Sequence, residues 1–152
     1  RVEQEMKPGV ITRDGFLGDD DRHLIDIMAE DGAEVRRLGL THDQIAERMA
    51  EFSEAGRRGL GEPIKVPPHY EVRVDSVRGK LPCPFHGGVF PKTNTIVRNL
   101  NIRKEITFTG LNVHMIREHG FYEGKGSPFR IDPAELAEIL DLIPEAAQTE
   151  IP

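Results

Sequence analysis

Four side chains that bind metals well occur in two short pairs, far apart along the chain. Cys83 and His86 form a C-x2-H pair, and His114 and His119 form an H-x4-H pair. Thiolates and imidazoles are the usual ligands of tetrahedral zinc sites, in which one pair often comes from a tight turn and the other from a helix. The spacing therefore predicts a zinc site built from these four residues.

The residues around each pair suit these two local structures. The first pair lies among residues that favour turns, namely Pro82, Pro84, Gly87 and Gly88. Proline fixes φ and glycine permits a positive φ, so a turn is expected there. Residues five apart on an ideal helix are offset by about 140°, so we expect His114 and His119 to converge only if the last helical turn distorts. Gly120 is the residue at which such an end is expected.

The chain between Cys83 and His119 resembles the Cys2His2 zinc finger, a ββα unit in which an aromatic residue and a leucine precede the first histidine. Phe108, Leu111 and His114 keep that order. The resemblance covers about a quarter of the chain. It implies zinc as the cofactor, and it raises nucleic-acid binding as an alternative function.

Two features set this segment apart from the family. His86 stands where the family has its second cysteine, and the 27 residues from 87 to 113 separate the ligand pairs, where the family has about 12. A spacer of that length must contain a hairpin of its own. We therefore expect a zinc-stabilised, noncatalytic binding or adaptor module before a DNA-reading one.

Other roles for these residues stay open on sequence alone. A single cysteine is often a small buried hydrophobe, and a histidine at a helix C-terminus is favoured by the helix dipole. A metal-dependent hydrolase or nuclease could use His114, Glu118 and His119, provided that the metal keeps an open position and a base stands near it. The H-x-x-x-E-H spacing is one residue longer than the H-x-x-E-H metalloprotease motif.

The glycine-rich segment 120–130 follows the last histidine directly. Glycines let backbone N–H groups approach an anion, and Lys125, Ser127 and Arg130 would add donors around a phosphate or carboxylate. The segment lacks the spacing of a P-loop. Its aromatic residues could instead fix an ordered loop to the core.

Composition limits the class of protein. The chain has 152 residues, of which 38% are hydrophobic and 30% charged, and one cysteine. No apolar run approaches the roughly 20 residues that span a bilayer, so we expect a cytoplasmic protein with no membrane partner. The net charge of −6 opposes a broad phosphate-binding surface, which leaves a protein as the expected partner and nucleic acid as the alternative.

Hydrophobic periodicity predicts an α+β fold. The expected divisions are an N-terminal arm (1–18), a single α+β domain (19–143) made of a helical hairpin (19–56), a linker (57–68) and a zinc-finger-like part (69–143), and a tail (144–152). Within them the expected helices are 20–38, 41–55, 110–119 and 132–143, and the expected strands, about three in an antiparallel sheet, begin near 70, 94 and 103. The arm is expected to dock through Ile11, Phe16 and Leu17.

Overall fold

The structure, a computed structural model, describes residues 2–7 and 15–144. Within these residues the helices are α1 (Val2–Glu5), α2 (Leu24–Arg37), α3 (His42–Arg57), α4 (Gly110–His119) and α5 (Pro133–Ile139). The strands are β1 (Ile64–Val66), β2 (Tyr70–Pro82), β3 (Val89–Asn99) and β4 (Lys104–Thr109). The α+β class predicted from the sequence is confirmed.

The four strands form one antiparallel sheet in the order β1-β2-β3-β4. β1 was not predicted, because the glycines and prolines between 56 and 68 indicate a linker. The β2–β3 pairing is the longest, from Tyr70 opposite Asn99 to Pro82 opposite Val89. β1 and β4 pair only with the inner half of this hairpin, so its outer half projects beyond the rest of the sheet.

The helices cover the sheet as the apolar periodicity indicates. Thr41 caps α3, where its side chain accepts a hydrogen bond from the Gln44 N–H at 3.1 Å. Ile45, Met49 and Phe52 of α3 are buried in the main core. That core also contains residues of the sheet, α4 and α5, so the helical hairpin and the sheet share one hydrophobic core.

α5 begins at the expected cap, where Asp132 accepts a hydrogen bond from the Glu135 N–H. It ends at Ile139, four residues before the expected end. Asp141 has φ +52, and the Leu142 N–H bonds back to the Ala137 carbonyl. This left-handed residue terminates the helix before the apolar pattern does.

A second, smaller cluster lies between the N-terminal arm, α2, the β2–β3 turn and α4. Its buried members are Met6, Phe16, Leu17, Ile27, Cys83, Leu111, Met115 and Phe121. Phe16 and Leu17 thus dock the arm as predicted, whereas Ile11 lies outside the described residues. Among the described helices, none combines the length and apolar content needed to cross a membrane.

Candidate metal centre

Three of the four predicted ligands meet in space. The Cys83 sulfur and one ring nitrogen from each of His114 and His119 all lie within 4.8 Å of one another. Ligand atoms bonded to zinc at about 2.0–2.3 Å are separated by roughly 3.5 Å in a tetrahedral site. Shifts of about 1 Å would therefore bring these three atoms into coordination distance.

Local structure explains why the three residues converge. In the turn that joins β2 to β3, the Cys83 N–H donates to the Gly88 carbonyl at 2.8 Å, which holds the thiol at the end of the hairpin. α4 begins at a reciprocal capping box between Thr109 and Asn112 and ends where Gly120 takes φ +61. His119 is its last helical residue, five residues or about 1.4 turns after His114. The two ring centroids lie 5.4 Å apart although α4 stays α-helical to His119, so the expected distortion of the last turn is not needed.

The two imidazoles carry an unmet hydrogen-bonding requirement. The Nε2 atoms of His114 and His119 are buried, and neither has a hydrogen-bond partner among the described residues. Buried polar nitrogens of this kind usually have a partner, because leaving one unpaired costs roughly 1–3 kcal/mol. A cation bound between them and the nearby thiolate would meet that requirement.

Aromatic rings hold the two imidazoles in place. Phe85 stacks on His119 with ring centroids 4.2 Å apart and an interplanar angle of 15°. Phe90 packs against His114 at 4.4 Å. Phe85 lies in the same turn as the thiol and Phe90 on β3 directly after it. The hairpin therefore orients the histidines as well as supplying the sulfur.

Gly87 closes over the site at van der Waals distance. A Cβ atom at this residue would lie 2.5 Å from His114 Nε2 and 3.4 Å from the Cys83 sulfur. Glycine is therefore required here by close approach to the ligand atoms, a role that the turn pattern alone did not reveal.

His86 is not part of this group of three. Its side chain is 54% exposed, and its Nε2 lies 3.1 Å from a carboxylate oxygen of Glu5 in α1. The residue takes φ +64, and its N–H bonds to the Cys83 carbonyl at 2.9 Å. It thus stays beside the thiol along the chain while its ring faces the N-terminal arm.

Glu118, the carboxylate of the hydrolase alternative, is exposed on α4 and does not belong to the cluster.

Burial, together with the neighbouring His114, lowers the pKa of His119 below its ordinary value. This ring is accordingly neutral near pH 7, which is the form that binds metals.

The segment predicted to bind an anion uses two of its three donors internally. Arg130 donates to both oxygens of Asp31, at 2.5 and 2.9 Å, and to the Glu123 carbonyl at 2.8 Å. The Ser127 hydroxyl lies 2.5 Å from Glu123 Oε1, and Lys125 is exposed. An anion at this loop would have to compete with Asp31 for the guanidinium.

Glu123 is the principal polar residue that the sequence did not reveal. It is 4% exposed, and burial raises its pKa to about 7. Its Oε2 accepts a hydrogen bond from Asn112 Nδ2 at 2.7 Å. Nothing in the local pattern marks a lone glutamate in a glycine-rich loop as buried.

Comparison with known protein families found no family that matches the chain. Comparison with curated proteins and with solved structures likewise gave no significant match. The functional assignment therefore depends on the geometry of the chain itself.

Proposed function

We propose that this chain is a zinc-stabilised, noncatalytic binding module, in which zinc joins the β2–β3 turn to the end of α4. The observation that supports it is the meeting of a thiol with two imidazoles whose buried Nε2 atoms have no hydrogen-bond partner among the described residues. Sulfur and nitrogen donors together suit zinc better than they suit calcium or magnesium, which prefer oxygen.

A fourth ligand would complete a closed tetrahedral shell, and we assign it to His86. This ring lies three residues from Cys83 on the same turn, and its present contact is with Glu5. With the thiol and three imidazoles bound, no coordination position is left for an activated water, so the site is structural.

The surroundings also support a structural role over a hydrolytic one. Cys83 is 3% exposed, and phenylalanine rings pack on both histidines. Two clefts of about 450 and 440 Å³ are lined by other residues. A hydrolase would need a substrate route to the metal and a base beside it.

In this proposal zinc fixes the outer half of the β2–β3 hairpin for contact with a protein partner in the cytoplasm. Val77 and Val89 of that hairpin are 51% and 60% exposed, and we assign this apolar surface to the contact with the partner. Nucleic acid is the rival partner. A steep fall in affinity with rising salt would identify it.

The experiment is metal analysis of the purified chain, followed by thermal unfolding with and without a strong chelator. We expect one zinc per chain. Zinc at about 100 times its Kd stabilises by about 2.7 kcal/mol, or roughly 5–10 °C for a chain of this size. Cys83→Ser and His114→Asn should each abolish that difference. His23→Asn is the matched control, because its side chain is 84% exposed.

Coordination spectroscopy separates the two metal-dependent functions. One sulfur and three nitrogen ligands would support the closed structural site, whereas a bound oxygen ligand with two nitrogens would favour the hydrolase. A chain whose metal content is negligible and whose stability does not respond to a chelator would contradict both.

A further inference from the structure

A cleft of about 450 Å³ lies on the side of the hairpin, separate from the three clustered metal ligands. The outer part of the hairpin, the start of α4 and the segments near 15 and 127 form its walls. Apolar side chains dominate the lining: Phe16, Val77, Leu81, Pro91, Leu111, Pro128 and Phe129. The size and the apolar walls are those of a site for a small organic molecule.

One buried carboxyl group, that of Glu123, contributes to this lining. Two neutral groups contact its oxygens, Ser127 Oγ at Oε1 and Asn112 Nδ2 at Oε2. None of the ion pairs formed among the described residues includes Glu123. Arg130 is close enough for its charge to act on the pKa of Glu123, but its N–H groups donate to the Glu123 backbone carbonyl and to Asp31 instead.

The hydrogen-bond network makes this carboxyl an acceptor toward Asn112. The Thr109 N–H donates to Asn112 Oδ1 at 2.9 Å, so the amide nitrogen of Asn112 must be the group that faces Glu123. A carboxylate has about four lone-pair positions, and these contacts use one on each oxygen. Further acceptor capacity is therefore available to a donor that enters the cleft.

A buried carboxylate without a cation is costly, and a hydrogen-bonded cation offsets that cost. No cation of the described chain donates a hydrogen bond to the Glu123 carboxylate. The other walls of the cleft offer apolar contact. We propose that the cleft binds a small organic ammonium ion with an apolar chain, whose N–H groups donate to the Glu123 carboxylate. This proposal is independent of the metal site.

The main rival is a carboxylate ligand held by Lys92, which also lines the cleft. Lys92 is exposed, so its charge is largely solvated, whereas the charge of Glu123 is buried. Buried charges discriminate between ligands more strongly than solvated ones. The ammonium ligand is therefore favoured.

The experiment compares the binding of n-hexylammonium, hexanol and hexanoate to the purified chain by calorimetry and by NMR shift mapping, at about pH 8, above the Glu123 pKa of about 7. We expect hexylammonium to bind at least roughly tenfold more tightly than hexanol, since a charged hydrogen bond is gained. The shifts should map to Val77, Leu111 and Glu123. Equal affinities for amine and alcohol, or tightest binding of hexanoate, would overturn the proposal.

Two sets of variants make the result specific. Glu123→Gln should remove the preference for the amine while leaving the zinc content unchanged, which separates this cleft from the metal site. Val77→Arg should weaken amine binding and Val77→Glu should not, while both change hexanol binding equally. Val77 is half exposed, so these variants should fold even if Glu123→Gln does not. Amine binding that is the same in all of them would contradict the assignment.

Discussion

At the scale of single residues, the chemistry depends on which polar side chains are buried in the fold. Glu123 shows this best, because burial raises its pKa to about 7. Ser127 Oγ lies within hydrogen-bond distance of both Glu123 Oε1 and the Gly15 carbonyl. A hydroxyl has one hydrogen, so Ser127 can donate to only one of these two acceptors at a time. Protonated Glu123 can donate to Ser127, which is then free to donate to Gly15.

This network predicts how stability depends on pH. The pKa of Glu123 is higher in the folded chain than the 4.5 of a solvated glutamate, so the folded chain binds this proton more tightly than the unfolded chain does. The resulting contribution to the free energy of unfolding is greatest below about pH 4.5 and is lost as the pH rises through about 7. The total change is about 3 kcal/mol. Chemical denaturation between pH 4 and 8 measures it.

Glu123→Gln is the control for that measurement. Glutamine keeps the shape and a side-chain acceptor but does not titrate, so the difference in unfolding free energy between the two chains should change with pH by that amount. A difference that is constant across the range would show that the carboxyl is not buried as the structure has it.

At the scale of elements, the hairpin turn and α4 form the metal centre together. The hairpin provides the thiol, the Phe85 ring stacked on His119, the Phe90 ring packed against His114 and a close glycine, and α4 provides the imidazoles from its last two turns. α4 was predicted with the bounds that it has, whereas β3 begins at Val89, five residues before the expected start near 94. Their approach depends on Gly87, since a Cβ atom there would lie 2.5 Å from His114 Nε2 and force one of the two to move.

Gly87→Ala should therefore weaken metal binding without removing a ligand. The added methyl group would displace His114, which Phe90 confines, and disturbed support of a ligand typically costs 10–100-fold in affinity. Competition titration with a zinc indicator measures this change.

Gly110→Ala is the matched control, at the first residue of α4. A Cβ atom there meets nothing within 4 Å, and alanine favours a helix over glycine by up to about 1 kcal/mol. Its zinc affinity should equal that of the unmodified chain. Equal affinities for Gly87→Ala as well would mean that His114 does not bind the metal.

At the scale of the whole molecule, the metal centre belongs to the smaller of two hydrophobic clusters. The larger cluster, with the sheet, α3 and α5, includes none of the three candidate ligands, whereas Cys83 is buried in the smaller one. Removal of the metal should consequently loosen one part of the chain before the other.

Native-state hydrogen exchange would show this difference. With chelator, we expect amide protection to fall at the Cys83 turn and at the end of α4, and to persist at Val72 and Val97 in the middle of the sheet. A uniform loss of protection over the chain would instead mean that metal and fold are lost in one cooperative step.

The sequence by itself determined the elements and the candidate ligands. Apolar periodicity, the caps at Thr41 and Asp132 and the glycine at 120 are local signals, so the four longer helices and the α+β class followed from them. The short helix α1 (Val2–Glu5) was not predicted, because the arm shows no sustained period. Ligand types and spacing also marked Cys83, His114 and His119. The unpredicted strand β1 lies in a segment whose glycines and prolines dominate the local signal.

Tertiary structure alone decided which of these groups meet and which are buried. His86 fits the ligand spacing but turns toward Glu5, and the donors of Ser127 and Arg130 are used by Glu123 and Asp31. Glu123 is buried because α4 and the N-terminal arm close over its loop. Contacts between residues this far apart in the chain depend on packing, for which a single sequence holds no local pattern.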